Sequence, residues 1–212
     1  MISIKTFVFN PFQENTIILF DDSNHCIIVD PGMNNETEEK ELVSFINNNG
    51  LLPQAIVNTH CHVDHILGCA FLKEKYALPF YAHRLELRLI ETAQEFGEFF
   101  GLKVKQPPVP DTFLEEGKDI ILGESTLRVI HVPGHSEGSI ALYSESYKFI
   151  ITGDVLFYGS IGRTDLPGGN YNTLIRSIRG KIMVLPKDVA VFPGHGSNTT
   201  IQHEYDTNPF LN

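Results

Sequence analysis

Residues 59–65 read Thr-His-Cys-His-Val-Asp-His, so three histidines and one aspartate fall within the six positions 60 to 65. Imidazole and carboxylate are the ligands that borderline divalent ions such as zinc favour. In extended backbone alternate side chains face the same way, which places His60 and His62 to grip one ion. Where the chain bends into a following helix, Asp64 and His65 turn elsewhere, and a second ion fits there. A polar loop with chance histidines is the competing reading, and residues further along argue against it. An apolar strand followed by Pro-Gly-His occurs twice, at 133–135 and at 193–195. Proline stops the ladder, glycine permits a sharp turn, and the histidine emerges at the strand end. Asp154 emerges in the same manner behind Gly153. One such histidine would be ordinary. Four loops built alike offer five histidines (His60, His62, His65, His135, His195) and two aspartates (Asp64, Asp154) at strand ends, where sites are usually built.

Two divalent ions tolerate each other at ~3.5–4 Å only with an anionic bridge, and Asp154 with a hydroxide is the natural one. A water held there drops to a pKa of ~7 and is available as hydroxide at neutral pH, to attack an acyl carbon whose carbonyl the metal polarises. Asp64 is placed to orient that hydroxide and is the candidate catalytic carboxylate. This scheme requires no separate nucleophilic serine or cysteine, and no Gly-x-Ser-x-Gly elbow is expected.

The elements that must position these residues follow from periodicity and breakers. Residues 2–9 and 15–20 read as strands around Asn10-Pro11, and Ile27-Ile28-Val29 as a third strand closed by Asp30-Pro31-Gly32. Asp30 is either a turn residue or support for a ligand histidine. Residues 36–49 form an amphipathic helix ending at Gly50. Strand 55–58 delivers the histidine loop, and a helix over 66–76 leads out. Residues 79–82 are a short strand. Helix 84–100 places Leu85, Leu89, Ala93, Phe96 and Phe100 at core spacing, with His83 as a surface or capping residue. Residues 106–110, Gln-Pro-Pro-Val-Pro, are a stiff connector or part of a flap. Strand pairs 119–122/126–132 and 139–143/148–152, a helix over 172–179 and a strand over 189–192 complete the pattern. The tail, 197–212, is polar and short. Hairpin-linked strands favour mixed sheets flanked by helices over a doubly wound parallel sheet.

At 212 residues and 42% apolar, the chain suffices for one domain, with room for two sheets. Its net charge of −10 argues against phosphate-backbone binding, hence no nucleic-acid partner. Met1-Ile2-Ser3-Ile4-Lys5 carries no signal-peptide pattern and no apolar run is long enough to span a bilayer, so no membrane partner is expected. Cys26, Cys61 and Cys69 form no Cys-x-x-Cys pair and are odd in number. They read as reduced thiols of a cytoplasmic protein, structural filler and not ligands.

The ordered set His60-Cys-His62-Val-Asp64-His65, His135, Asp154 and His195 resembles the metallo-β-lactamase superfamily over the whole chain. The resemblance implies an α+β fold, a four-layer αββα sandwich of two mixed β-sheets flanked by helices, as one domain over 1–212 with metals at one edge. It also implies the grouping: His60, His62 and His135 on one ion, Asp64, His65 and His195 on the other, Asp154 between them. The implied cofactor is zinc, two ions per chain, with iron or a mixed iron/zinc pair as the alternative. Asp154 stands where the best-known subclass of zinc lactamases has a cysteine, which argues against antibiotic hydrolysis. His62 stands where flavodiiron proteins carry a glutamate.

Gly153-Asp154-Val155-Leu156-Phe157, Gly162-Arg163-Thr164-Asp165, Gly194-His195-Gly196, Thr199-Thr200, Glu204 and Asn208-Pro209-Phe210 are similar to glyoxalase II-like proteins. That branch implies hydrolysis of a small-molecule thioester, S-D-lactoylglutathione, to glutathione and D-lactate. The sequence stops 17 residues after His195, and the expectation is that the C-terminal helical domain which helps bind glutathione in full-length glyoxalase II is absent. Arg163 is either a contact for an anionic substrate end or a salt-bridge partner of Asp165. Ser139 and Thr59 either support ligand histidines or serve turn and strand. The leading function is thus a dinuclear zinc thioester hydrolase. Competing with it are a persulfide dioxygenase with one iron on His60, His135 and Asp154, a lactone or other ester hydrolase, and a non-enzymatic binding module on the same fold.

Overall fold

The computed structural model describes residues 1–211. Two compact units emerge from the contacts: residues 1–114 with 121–125, and residues 115–120 with 126 onward.

The first unit is built on a six-stranded mixed sheet in which strands neighbour each other in chain order. β1 (Ile2–Phe9) and β2 (Glu14–Asp21) form an antiparallel hairpin, and β3 (His25–Val29) continues it antiparallel. Helix α1 (Glu36–Asn48) then crosses to β4 (Leu52–Val57), which pairs parallel to β3. Asn35 caps α1 by accepting from the amides of Thr37 and Glu38 at 3.0 and 3.1 Å, and Glu36, Glu38 and Glu39 complement the dipole of its first turn. The next crossover is α2 (Val63–Ile66) and α3 (Cys69–Tyr76), leading to β5 (Phe80–His83), parallel to β4. A 3₁₀ turn (Arg84–Glu86), α4 (Leu87–Glu91) and α5 (Ala93–Phe99) precede β6 (Thr112–Leu114), parallel to β5. Ile18, Ile28, Leu42, Ile46, Ile56, Leu72 and Phe80, all essentially inaccessible, form the core.

The second unit carries a six-stranded mixed sheet in the order β14-β13-β10-β9-β8-β7. These strands are β7 (Asp119–Leu122), β8 (Ser125–His131), β9 (Ile140–Ser144), β10 (Phe149–Gly153), β13 (Ala190–Pro193) and β14 (Thr199–Thr200). β11 (Leu156–Phe157) and β12 (Ser160–Ile161) make a separate small hairpin. Helix α6 (Tyr171–Ser177), continued by a π turn (Ile178–Ile182), packs Leu174, Ile178 and Ile182 into a core with Val132, Ile150 and Val191. Helix α7 (Ile201–Thr207) follows β14. Among the described residues no helix is long and apolar enough to cross a membrane.

Two expectations need correction. The helix over 84–100 is broken at Thr92, where φ −95° and ψ 5° leave the helical region and the hydroxyl joins the amide on the Arg88 carbonyl, at 2.9 and 3.1 Å. The helix over 66–76 begins earlier, at Val63, and is interrupted at Gly68. A Cβ there would lie 2.6 Å from Met33 Cε and 2.9 Å from the Pro31 carbonyl. The tail, expected only to be polar and short, carries β14 and α7. Buried Glu204 accepts from Thr199 Oγ1 (2.6 Å), the Gly159 amide (3.0 Å) and Asn208 Nδ2 (2.7 Å), and Thr200 caps α7.

Candidate metal centre

In the first unit β4 ends at Val57 and hands the chain to buried Asn58 and Thr59. Asn58 Nδ2 donates to the carbonyls of His60 (3.2 Å) and His65 (2.7 Å), closing the loop on itself. The Cys61 amide donates to buried Glu86 at 2.7 Å. Asp30 accepts from the Thr59 amide (2.7 Å) and hydroxyl (2.5 Å), and Thr59 Oγ1 lies 3.2 Å from His60 Nδ1. Asp30 Oδ2 is 3.2 Å from His65 Nδ1, and His65 Nε2 is 3.7 Å from Asp64 Oδ2. A proton on Nδ1 facing Asp30 leaves the Nε2 lone pair on the side of Asp64. The His60 ring stands 4.9 Å from His62 and 4.1 Å from His65. His60, His62 and His65 are buried and Asp64 is half-buried. Asp30 itself adopts a left-handed φ of 49°, costly for a residue with a Cβ and concentrated at functional sites.

Behind His65 sits Glu14, with no exposed surface; its Oε2 accepts from Thr16 Oγ1 at 2.8 Å and its Oε1 lies 3.9 Å from His65 Nδ1. Burial pushes the Glu14 carboxyl well above its ordinary range, and His65 beside it pulls the other way. Asn10 Nδ2 donates to the carbonyls of Gly32 (2.9 Å) and Asp64 (3.0 Å), pinning the β1–β2 turn to the metal loop.

In the second unit His135 follows Pro133-Gly134 at the end of β8, and its Nδ1 lies 2.8 Å from the Arg163 carbonyl. A carbonyl only accepts, so Nδ1 carries the proton and Nε2 presents its lone pair. That Nε2 is 3.6 Å from Asp154 Oδ2, and His195 Nε2 is 3.5 Å from the same oxygen. Gly134 is at φ 134°, and a Cβ there would meet the Leu174 amide nitrogen at 2.3 Å. Gly162 is held tighter: its Cβ would lie 1.8 Å from the Asp154 carbonyl. The Phe157 ring stands edge-on to His195, centroids 6.3 Å apart.

These donors fit a borderline divalent ion. Separations of 3.5–3.7 Å between imidazole Nε2 and carboxylate oxygen are too long for good hydrogen bonds. They are close to the ~3.4 Å that two donors each ~2.1 Å from a tetrahedral ion require. Asp30, His60 and His65 also offer donor atoms within 4.8 Å of one another, but both oxygens of Asp30 already accept from Thr59, which makes it a support.

The seven sequence-derived ligands therefore fall into two sets, His60, His62, Asp64 and His65 in one unit and His135, Asp154 and His195 in the other. Asp30 and Thr59 stand behind the candidate ligands His65 and His60. Ser139 shapes the loop: its Oγ accepts from the Ser136 amide at 3.1 Å and lies 2.7 Å from Ser136 Oγ. The Arg163 guanidinium is engaged by Asp165 in a bidentate pair of 2.8 and 2.9 Å, which holds the Asp165 carboxyl down to about 2. Its tie to the site is its backbone carbonyl. Gly134-His135-Ser136-Glu137-Gly138 does match Gly-x-Ser-x-Gly, contrary to expectation. The nucleophile elbow needs strand, turn and helix, and this pentad joins two strands. Glu14, Thr16, Asn10, Asn58 and Glu86 were not singled out by sequence reasoning. The available signal was a carboxylate at the start of β2, just ahead of its apolar run Ile17-Ile18-Leu19-Phe20. The cysteines are buried, with Cys61 and Cys69 thiols pushed far up and Cys26 to about 12, as filler requires.

The metallo-β-lactamase superfamily profile matches residues 9–195, and the chain belongs to that superfamily, whose members bind divalent metal ions. It is a metallo-hydrolase by class, and the expected α+β fold of mixed sheets with flanking helices is borne out. Among similar proteins, hydroxyacylglutathione hydrolase GloC of Haemophilus influenzae is 37% identical over 203 residues, spanning 95% of this chain and 94% of that protein. The crystal structure of BLEG-1 B3 metallo-beta-lactamase superposes with a TM-score of 0.91 at 35% identity, covering 99% of each chain. TTHA1623, in a di-iron-bound form, superposes at 0.89 with 38% identity, covering 98% of this chain and 100% of that one.

Proposed function

We propose that the chain is a dinuclear metal-dependent hydrolase of a small thioester of the S-lactoylglutathione type. The observation that carries this reading is the near full-length similarity to a hydroxyacylglutathione hydrolase. His60, His62 and His135 would hold one ion, Asp64, His65 and His195 the other, with Asp154 shared. Zinc is the metal of this reading and iron, found in TTHA1623, its competitor. Bound ions supply Lewis acidity and lower the pKa of a water to ~7. Asp64 orients the attacking water and takes its proton. Asp30 and the Arg163 carbonyl hold His65 and His135 each in one tautomer. The C–O bond forms, the C–S bond breaks, and sulfur leaves as thiolate. A thiol pKa of ~8.5 means that departure needs no general acid. Reduced, buried thiols fit a cytoplasmic enzyme.

β-Lactam hydrolysis is a second reading, favoured by the similarity to BLEG-1. Protein purified without chelator is to be analysed for metal, then assayed on thioesters, a chromogenic β-lactam and, for the dioxygenase alternative, oxygen uptake with glutathione persulfide. Two ions per chain with thioester cleavage are expected. A metal-replete preparation that cleaves no thioester overturns the reading.

A further inference from the structure

We infer that Glu14 is a positioning residue for the ion held by His65, a second buried carboxylate that sets how tightly that ion binds. The inference rests on the proposed function in taking His65 as a metal ligand. A ligand histidine ordinarily has one acceptor behind it. Here two carboxylates converge on one imidazole nitrogen, Asp30 Oδ2 at 3.2 Å and Glu14 Oε1 at 3.9 Å. Glu14 is wholly buried, and Oε1 makes no hydrogen bond among the described residues. Two acids packed this closely in a dry site repel each other unless a positive charge offsets them. Nε2, on the far side of the His65 ring and 3.7 Å from Asp64, is where a bound cation would supply that charge.

The surroundings are shaped to keep Glu14 in place. Thr16 Oγ1 lies 2.8 Å from Glu14 Oε2 and 3.0 Å from the Asp30 carbonyl, and accepts from the Gly32 amide at 2.9 Å. One hydroxyl thus ties Glu14 to the strained turn that carries Asp30. Gly32 clears the space, since a Cβ there would lie 2.1 Å from Glu14 Oε2. A cation in front of the ring favours the ionised form of the acid behind it, and in low dielectric the two act on each other with little screening.

The test is Glu14→Gln in the full chain, which keeps the shape and the Thr16 contact and removes the charge. Metal-free protein is titrated with Zn²⁺ against a chromogenic chelator, and with Co²⁺ for its visible spectrum. Wild type is expected to show two sites. In the variant one site weakens by ~10–100-fold, its Co²⁺ bands shift, and the metal-free protein melts as wild type does. Unchanged affinities at both sites overturn the inference. So does a drop in metal-free Tm with an unchanged metal-induced rise, because the role is then structural. Glu14→Met is the second variant if the first does not fold; failure of both to fold also overturns it. Wild type that binds no metal removes the proposed function with it, whereas two tight sites unchanged in Glu14→Gln sink this inference alone.

Discussion

His135 presents the Nε2 lone pair because a backbone oxygen 2.8 Å away claims the proton on Nδ1. That contact separates two roles of Arg163. Its guanidinium lies in an exposed pair, and such pairs contribute ~0–1 kcal/mol. Arg163→Ala keeps the carbonyl and is expected to retain metal content and to shift stability by no more than about 1 kcal/mol. A large rise in KM with unchanged kcat would instead reinstate it as a substrate contact. Asp154→Ala is expected to lose at least ~100-fold in activity, together with bound metal, while circular dichroism shows an intact fold. Near-normal turnover would contradict its shared role. The thiols give a pH-linked outcome. Burial raises all three, so little thiolate exists at pH 8 in the native state. Ellman's reagent is expected to count none before denaturation and three after.

At the scale of elements, strand ends and the turns behind them carry the site. Gly162 lies against the Asp154 carbonyl, and Gly162→Ala is expected to displace that loop and cut metal content and activity by more than ~10-fold. Gly180→Ala, where an added Cβ meets nothing, is the matched control and is expected to leave both unchanged. Most elements are legible from periodicity: β1, β3, α1 and the hairpin of β9 and β10 stand within two residues of where the pattern places them. The breaks are not legible. Thr92 looks like any helix residue until its hydroxyl finds the Arg88 carbonyl. In the polar tail Glu204 reaches the Gly159 amide, 45 positions away, a contact no local pattern announces.

For the whole molecule, metal and stability are linked by mass action. At free metal ~100-fold above Kd the bound ion adds ~2.7 kcal/mol, which for a chain of this size is a rise of ~5–10 °C in Tm. Chelator treatment is expected to lower Tm by that amount and readdition to restore it; equal melting with and without chelator would contradict a metal held by the folded state. The candidate ligands, their order along the chain and the mixed-sheet class were determined by the sequence alone, because strand period and Pro-Gly stops act over a few residues. Which ring nitrogen faces the metal, which acid stands behind His65 and what Arg163 does were decided only by the tertiary structure. Those contacts join Asp30 to Thr59 across 29 positions and His135 to Arg163 across 28. Local pattern carries no record of partners that meet only when the chain closes on itself.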